Sequence, residues 1–309
     1  MINSILLTGG SGFLGKAVHK TLAKQYPNTN ITIPRSTNYD LRNQKSCSSL
    51  FVDTEPQVVV HLAATCGGIG ANRENPGQYF YDNITMGVNL IENCRKFNVQ
   101  KIILIGTVCS YPKYCSTPFK ENDIWNGYPE ETNAPYGIAK KALYTMLEAY
   151  RQQYNTEYLV LIPTNLYGPN DNFQDNSSHV IPALIKKIHK AKKKKSKVSV
   201  WGNGSATREF LYVDDAAEAI FRSIETQTKH NIMNLGSGQE ISILDLTNKI
   251  CELMDFDKNN VEWDHSKPNG QPKRMVCTER AKTELAWNNQ TTLEDGLKET
   301  IDWYISNHA

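Results

Sequence analysis

Thr8-Gly9-Gly10-Ser11-Gly12-Phe13-Leu14-Gly15 follows a short apolar run, Ile5–Thr8, and opens a pattern that reads as a helix, Phe13–Gln25. Gly9, Gly12 and Gly15 stand in a G-x-x-G-x-x-G spacing. The first glycine permits a tight strand-to-helix turn, the second lets backbone approach a pyrophosphate, and the third lets helix and strand pack closely. Glycine turns are common, so the spacing alone says little. At residue 9 of an alternating α/β chain it predicts a dinucleotide site built from Gly9, Gly10, Ser11, Gly12, Phe13, Leu14 and Gly15.

Outward from this turn, apolar runs alternate with helical patterns. Strands are expected at Ile5–Thr8, Ile31–Pro34, Val58–Leu62, Ile102–Gly106 and Tyr158–Pro163. Helices are expected at Phe13–Gln25, Lys45–Val52, Tyr79–Phe97 and Ala139–Tyr154. Runs such as Val58-Val59-Val60 suit strands buried on both faces. The alternation predicts an α/β fold with a doubly wound parallel sheet of the Rossmann kind. After Asn165 the rhythm breaks. Leu166–Ser178 reads as a loop, followed by a helix (His179–Ala191), a strand (Lys197–Trp201), a helix (Val213–Ile224) and a strand (Ile232–Leu235). Beyond Ser242 the pattern is mostly helical, with a turn-rich interruption at Ser266–Pro272. The expected division is a dinucleotide-binding domain of residues 1–165 plus 212–242, and a smaller mixed α/β substrate domain of residues 166–211 plus 243–309.

With 309 residues the chain can bury a large core. Its net charge of +2 selects neither nucleic acid nor membrane as a partner. The basic run Lys190–Lys197 is the local exception, read as a solvated helix end or, alternatively, as a contact to an anion. The first residues have no basic segment, long apolar core or cleavage site of a signal peptide, and no apolar stretch reaches the ~18 residues that span a bilayer. Seven scattered cysteines without a C-x-x-C pair or metal-ligand spacing suggest reduced thiols in a cytoplasmic enzyme that uses no metal.

Tyr136 and Lys140 are four residues apart, on one face of a helix. A tyrosine with a pKa near ~10 is a poor acid at neutral pH. A neighbouring ammonium is expected to lower that value. Tyr136 would then protonate a ketone oxygen as hydride reaches its carbon, and Lys140 would also hold the nicotinamide ribose. Thr107, at the end of the fourth strand, would hydrogen-bond the substrate oxygen or Tyr136. Leu62-Ala63-Ala64 leaves room for adenine and ribose. After the second strand Arg35-Ser36 stands where an acidic residue would bind a ribose 2′-OH. A guanidinium and a hydroxyl suit a 2′-phosphate, which favours NADPH. Asp40, further on, reads as a cap or an adenine contact.

These features resemble the extended short-chain dehydrogenase/reductase family. Gly67-Gly68-Ile69, Tyr111-Pro112-Lys113, Pro163-Thr164-Asn165-Leu166-Tyr167-Gly168-Pro169, Asp171-Asn172-Phe173, Ser178-His179-Val180-Ile181-Pro182-Ala183-Leu184 and Arg208-Glu209-Phe210 are similar to its GDP-L-fucose synthase branch, the GDP-4-keto-6-deoxymannose 3,5-epimerase/4-reductases. The resemblance runs nearly end to end. It implies that Cys109 is the base and His179 the acid of an epimerisation. C3 and C5 flank the ketone, so their protons are acidified, and thiol and imidazole can both be tuned to titrate near neutrality. It further implies cofactor contacts at Pro163, Asn165, Leu166 and His179. Substrate contacts are implied at Asn165, Val180, Leu184, Lys187, Trp201, Arg208 and Lys267. A homodimer is implied through the helices Tyr79–Phe97 and Ala139–Tyr154.

The match departs in three places. Thr107 replaces a serine. Lys187 replaces an arginine, exchanging a bidentate fork for a point charge. Cys277 stands where an aspartate is expected near the nucleotide sugar. The expected reaction is NADPH-dependent epimerisation and reduction of a GDP-linked 4-keto-6-deoxy sugar. Two alternatives stay open. One is a C4 reductase alone, acting on a GDP-4-keto-heptose or 6-deoxy-heptose. The other is a non-enzymatic dinucleotide-sensing regulator. Thr107-Val108-Cys109 lacks the carboxylates of a 4,6-dehydratase.

Overall fold

The computed structural model describes residues 2–175, 177–267 and 273–308. In chain order the elements are β1 (Ser4–Thr8), α1 (Phe13–Gln25), β2 (Asn30–Thr32), α2 (Gln44–Thr54), β3 (Val58–His61), α3 (Ile69–Glu74), α4 (Pro76–Lys96), β4 (Lys101–Ile105), α5 (Ala134–Tyr154) and β5 (Tyr158–Pro163). They continue with β6 (Asn165–Tyr167), α6 (Val180–Lys194), β7 (Val198–Trp201), β8 (Thr207–Tyr212), α7 (Val213–Glu225), β9 (Ile232–Leu235), β10 (Glu240–Ser242), α8 (Ile243–Leu253), β11 (Val261–Asp264), α9 (Glu279–Glu284) and α10 (Leu293–His308).

Six strands form one parallel sheet in the order β2-β1-β3-β4-β5-β9. Val58, Val59 and Val60 are buried because both faces are covered. On one face, Leu50, Leu90 and Leu143 of α2, α4 and α5 pack against Leu6, Ile102 and Val160. On the other, Val18, Leu22, Ala217 and Ile220 of α1 and α7 meet Leu7, Val60 and Leu161. This is the doubly wound sheet that the alternation predicts. The strand order reverses between β1 and β3, which places a crevice at the carboxyl ends of the strands.

The smaller part holds a mixed three-stranded sheet, β10-β8-β6, and a parallel pair, β11-β7. Helices α6, α8 and α10 enclose its core around Ile185, Ile250 and Ile301. The stretch expected to be a loop from Leu166 begins as β6, because its three residues pair with Phe210–Tyr212. Strands β8 and β11 have no counterpart in the sequence reading; each is short and gains its hydrogen bonds from a distant partner. The segment after 243 does not stay in the smaller part. Ala281, Leu285 and Trp287 return to the sheet and pack with α1 and α7, and the Trp287 indole donates to the Asp215 carbonyl at 2.9 Å. The run Lys190–Lys197 ends α6, where Lys192 pairs with Asp255 and Lys197 with Glu262 at the surface. No helix among the described residues is long and apolar enough to cross a membrane.

Helix α5 lies close against the turn that follows β4. A Cβ on Gly137 would fall 2.2 Å from the Cys109 carbonyl oxygen, so only glycine permits this approach. Gly137→Ala is therefore expected to lower stability by ~2 kcal/mol or more. Gly77→Ala, where a Cβ meets nothing, should change it by less than ~1 kcal/mol. Urea unfolding midpoints compare the two, and equal midpoints would show that the contact is not tight.

Candidate active site

A cleft of about 1700 Å³ runs along the carboxyl ends of the sheet strands and under the smaller part. This exceeds the ~1000 Å³ of a large single-ligand site, so two elongated ligands can lie in it together. At one end is the turn after β1. Gly9 has φ of +73°, and a Cβ there would lie 2.6 Å from the Ala63 amide nitrogen. The N-terminus of α1 has Gly12 as its cap and no side chain bonding its amides. Those amides are therefore left for an anion. This cradle fits a dinucleotide pyrophosphate. Gly9, Ser11, Gly12, Phe13, Leu14 and Gly15 line it. Gly10 does not; it faces Ile33 and Leu7, so it serves packing between strands.

Further along, Leu62, Ala63, Ala64, Ser36, Tyr39, Asp40 and Arg42 line the cleft. Arg35 is exposed and lies outside the lining. The carboxylate of Asp40 accepts from the Arg42 guanidinium at 2.9 and 3.0 Å. Arg42 also reaches buried Asp82 at 3.2 Å.

The centre is built where β4 ends. Thr107, Cys109, Tyr136, Lys140 and His179 all line the cleft there. Val108–Ser110 form a 3₁₀ turn, and the Cys109 amide donates to the Thr107 hydroxyl oxygen at 3.1 Å. The Lys140 ammonium, 2 % exposed, donates to the Ile105 carbonyl at 3.0 Å. Burial pushes Lys140 down to about 8. It also pushes the Tyr136 phenol well above its ordinary value, and the counterweight is a hydrogen bond with Thr107. The expected lowering of Tyr136 by Lys140 is therefore not what the structure holds: burial dominates, and the opposing influence is the Thr107 hydrogen bond. The phenol stays protonated, the state a proton donor needs. Beneath Lys140, buried His61 bonds Thr8 at 2.7 Å, and burial followed by the Lys140 charge pushes it down to about 3.

His179 is the residue before α6, and its side chain caps nothing. It is exposed to the cleft, yet walls crowd it, and this desolvation lowers its pKa. Asp171 anchors the loop that leads to it. One carboxyl oxygen accepts from the Asn172 amide at 2.6 Å, while the other is buried without a partner. Burial raises Asp171 to about 7.

At the far end Pro163, Asn165, Leu166, Val180, Leu184, Lys187, Trp201 and Arg208 line the cleft. Arg208 is pushed down to about 10, first by burial and then by the charge of Arg274. Two guanidiniums close enough to repel mark a place for an anion. Lys267 is not in the lining; its ammonium lies 5.7 Å from the Trp201 ring centre. Residues 268–272 of the expected turn-rich stretch Ser266–Pro272 lie outside the described residues.

The model of the NAD dependent epimerase/dehydratase family matches residues 5–236. The chain is 37 % identical over 306 residues to a GDP-L-fucose synthase of Sinorhizobium fredii, covering 99 % of this chain and 96 % of that one. The chain belongs to the NAD dependent epimerase/dehydratase family. It is a GDP-L-fucose synthase-like member of that family and an enzyme. Its fold superposes on a GDP-L-fucose synthetase from Naegleria fowleri bound to NADP, with a TM-score of 0.92, 30 % identity and coverage of 99 % and 93 %. A GDP-6-OMe-4-keto-L-xylo-heptose reductase from C. jejuni gives a TM-score of 0.91 at 26 % identity, with coverage of 99 % of each chain.

Against this family background two departures differ in weight. The Lys187 ammonium lines the cleft but is tied to the Ser199 carbonyl at 2.9 Å. Cys277 lies off the cleft, its amide donating to Phe119 and its carbonyl accepting from Asn234. Arg274, Cys66 and Glu130 line the cleft and were not singled out in the sequence. Only the fold brings their loops to the strand ends. The Arg274 carbonyl accepts from the backbone amide of Glu209 at 3.2 Å, and Glu209 is a buried carboxylate. Its two carboxyl oxygens accept from the Gly238 and Val276 amides at 2.7 and 2.9 Å.

The raised pKa of Asp171 has a thermodynamic consequence. Between its unfolded value near 4 and about 7, the unfolded chain releases a proton that the folded chain keeps, so stability falls as pH rises through that window. Asp171→Asn keeps the Asn172 contact and cannot ionise. Its melting temperature relative to the native chain should rise between pH 5 and pH 8. A difference that stays constant with pH would show that Asp171 does not carry this linkage.

Proposed function

We propose that this enzyme epimerises and then reduces a GDP-linked 4-keto-6-deoxy sugar with NADPH. The observation that carries this is the convergence of Cys109, His179, Tyr136 and Lys140 in one cleft, between the glycine cradle and the Arg208–Arg274 end. The sheet part, residues 1–165 plus 212–242, would hold the dinucleotide, joined by residues 281–287. The smaller part would hold the sugar nucleotide.

When bound, reduced nicotinamide supplies a hydride to C4 of the sugar. Gly9, Gly12 and Gly15 would receive the pyrophosphate, Ala63 and Ala64 the adenosine, and Ser36 with Arg35 the 2′-phosphate. Lys140 would orient the ribose. Cys109 as thiolate removes a proton from carbon next to the ketone; the C–H electrons move onto the ketone oxygen. Thr107 and protonated Tyr136 stabilise that oxyanion. His179 returns a proton on the opposite face. Its lowered pKa makes a protonated imidazole a ready donor. In the reduction Tyr136 gives its proton to the C4 oxygen. Arg208 and Arg274 would hold the diphosphate, with Trp201 against the base. The cytoplasm is the expected compartment. The packed pair α4 and α5, which leaves Tyr81 and Val88 exposed, is the expected dimer face.

A second reading, C4 reduction alone on a heptose, is favoured by the Lys187 tether and by the likeness to the C. jejuni reductase. Deuterium wash-in separates the two. In the first reading Cys109→Ser and His179→Asn each slow wash-in at C3 and C5 by ~10²-fold or more, with reduction of a pre-epimerised ketone changed far less. No wash-in in the native enzyme, with NADPH-linked reduction of the ketone retained, would favour the second reading. For the cofactor, Arg35→Ala should weaken NADPH binding at least ~10-fold and leave NADH binding within ~2-fold. An unchanged preference would remove Arg35 from the site.

A further inference from the structure

Beside the main cleft is a second cavity of about 10 Å³, lined by Cys109, Glu130, Asn133, Lys113, Arg274 and Val108 among others. That volume admits one water, and the walls supply the polar partners a buried water needs. Glu130 is half-buried, and one of its carboxyl oxygens accepts from the Thr132 hydroxyl at 2.5 Å and the Asn133 amide at 2.9 Å. These two bonds fix the carboxylate. Glu130 and Cys109 line both the small cavity and the main cleft, so Glu130 also has an outlet to solvent. Lys113 and Arg274 also line the cavity, and Lys113 pairs with Glu131 at 2.9 Å.

We propose that Glu130 is the proton outlet of Cys109, acting through a water in this cavity. The proposal rests on the reading of Cys109 as the epimerisation base. After it takes a substrate proton, Cys109 is a thiol under a bound sugar and must lose that proton before it can act again. The S–H proton passes to the cavity water while that water gives a proton to the Glu130 carboxylate. Thiolate and water are regenerated, and Glu130 carries one proton, which it releases to solvent at the cleft mouth. Glu130 thus acts through Cys109 and does not touch the sugar; it is a positioning and relay residue.

The test compares Glu130→Gln, Glu130→Asp and Cys109→Ser for two readouts in each sample: deuterium wash-in at C3 and C5 as a function of pH, and NADPH-linked reduction of a pre-epimerised GDP-4-keto sugar. Glu130→Gln should slow wash-in ~10²-fold with reduction within ~2-fold, and added formate should restore part of the wash-in. Glu130→Asp should fall between Gln and native. Native-like wash-in in Glu130→Gln, with wash-in lost in Cys109→Ser, would overturn the relay and leave Cys109 as base. Normal wash-in in Cys109→Ser would overturn both. Parallel loss of wash-in and reduction in both Glu130 variants would make Glu130 a residue of the fold and likewise overturn the relay.

Discussion

The close seating of α5 on the end of β4 is the contact on which the site depends. Gly137 lets the helix backbone touch the Cys109 carbonyl, and Tyr144, one turn past Lys140, receives the Thr107 amide and bonds Ser110. One helix thereby positions Tyr136 and Lys140 against the strand that delivers Thr107 and Cys109. Thr107 and Cys109 sit on the turn that α5 packs against, and close main-chain packing of this kind limits how far neighbouring side chains can move.

Much of this was legible in the sequence, for a physical reason. Buried parallel strands must be apolar throughout, so Val58–Val60 and Ile102–Ile105 announce themselves, and α1 appears with its observed bounds because a glycine turn starts it. Cys109, Tyr136, Lys140 and His179 stand in motifs, and the structure gathers them in one cleft. What was not legible depends on long-range pairing. Strands β6, β8 and β11 are three to six residues long and exist through partners tens of residues away. Arg274 and Glu130 stand in turn-rich stretches without a periodic signal, and only the assembled fold turns them toward the cleft. The direction of the Tyr136 shift was misread because sequence spacing reveals a neighbouring charge but not the loss of water around the phenol.

Burial also sets the protonation of groups that never meet a ligand. His61 is held neutral beneath Lys140, and Glu209 is pushed up to about 7 although it accepts two amide hydrogens. Desolvation dominates in each, so near neutral pH the neighbourhood of the cleft carries fewer charges than its residue types suggest. At the far end Glu240 still acts on Arg208, so burial there weakens the carboxylate field without removing it.

Trp287, Leu285 and Ala281 complete the face of the sheet that α1 and α7 cover, although they lie far along the chain from β1 and the glycine turn. During synthesis the first strands and the glycine turn leave the ribosome early. Their apolar surface, however, is not fully covered until residues 281–287 emerge. A chain that stalls or is trimmed before residue 281 would present a sheet with part of one face uncovered. The order of folding thus ties completion of the sheet beneath the glycine turn to delivery of residues 281–287.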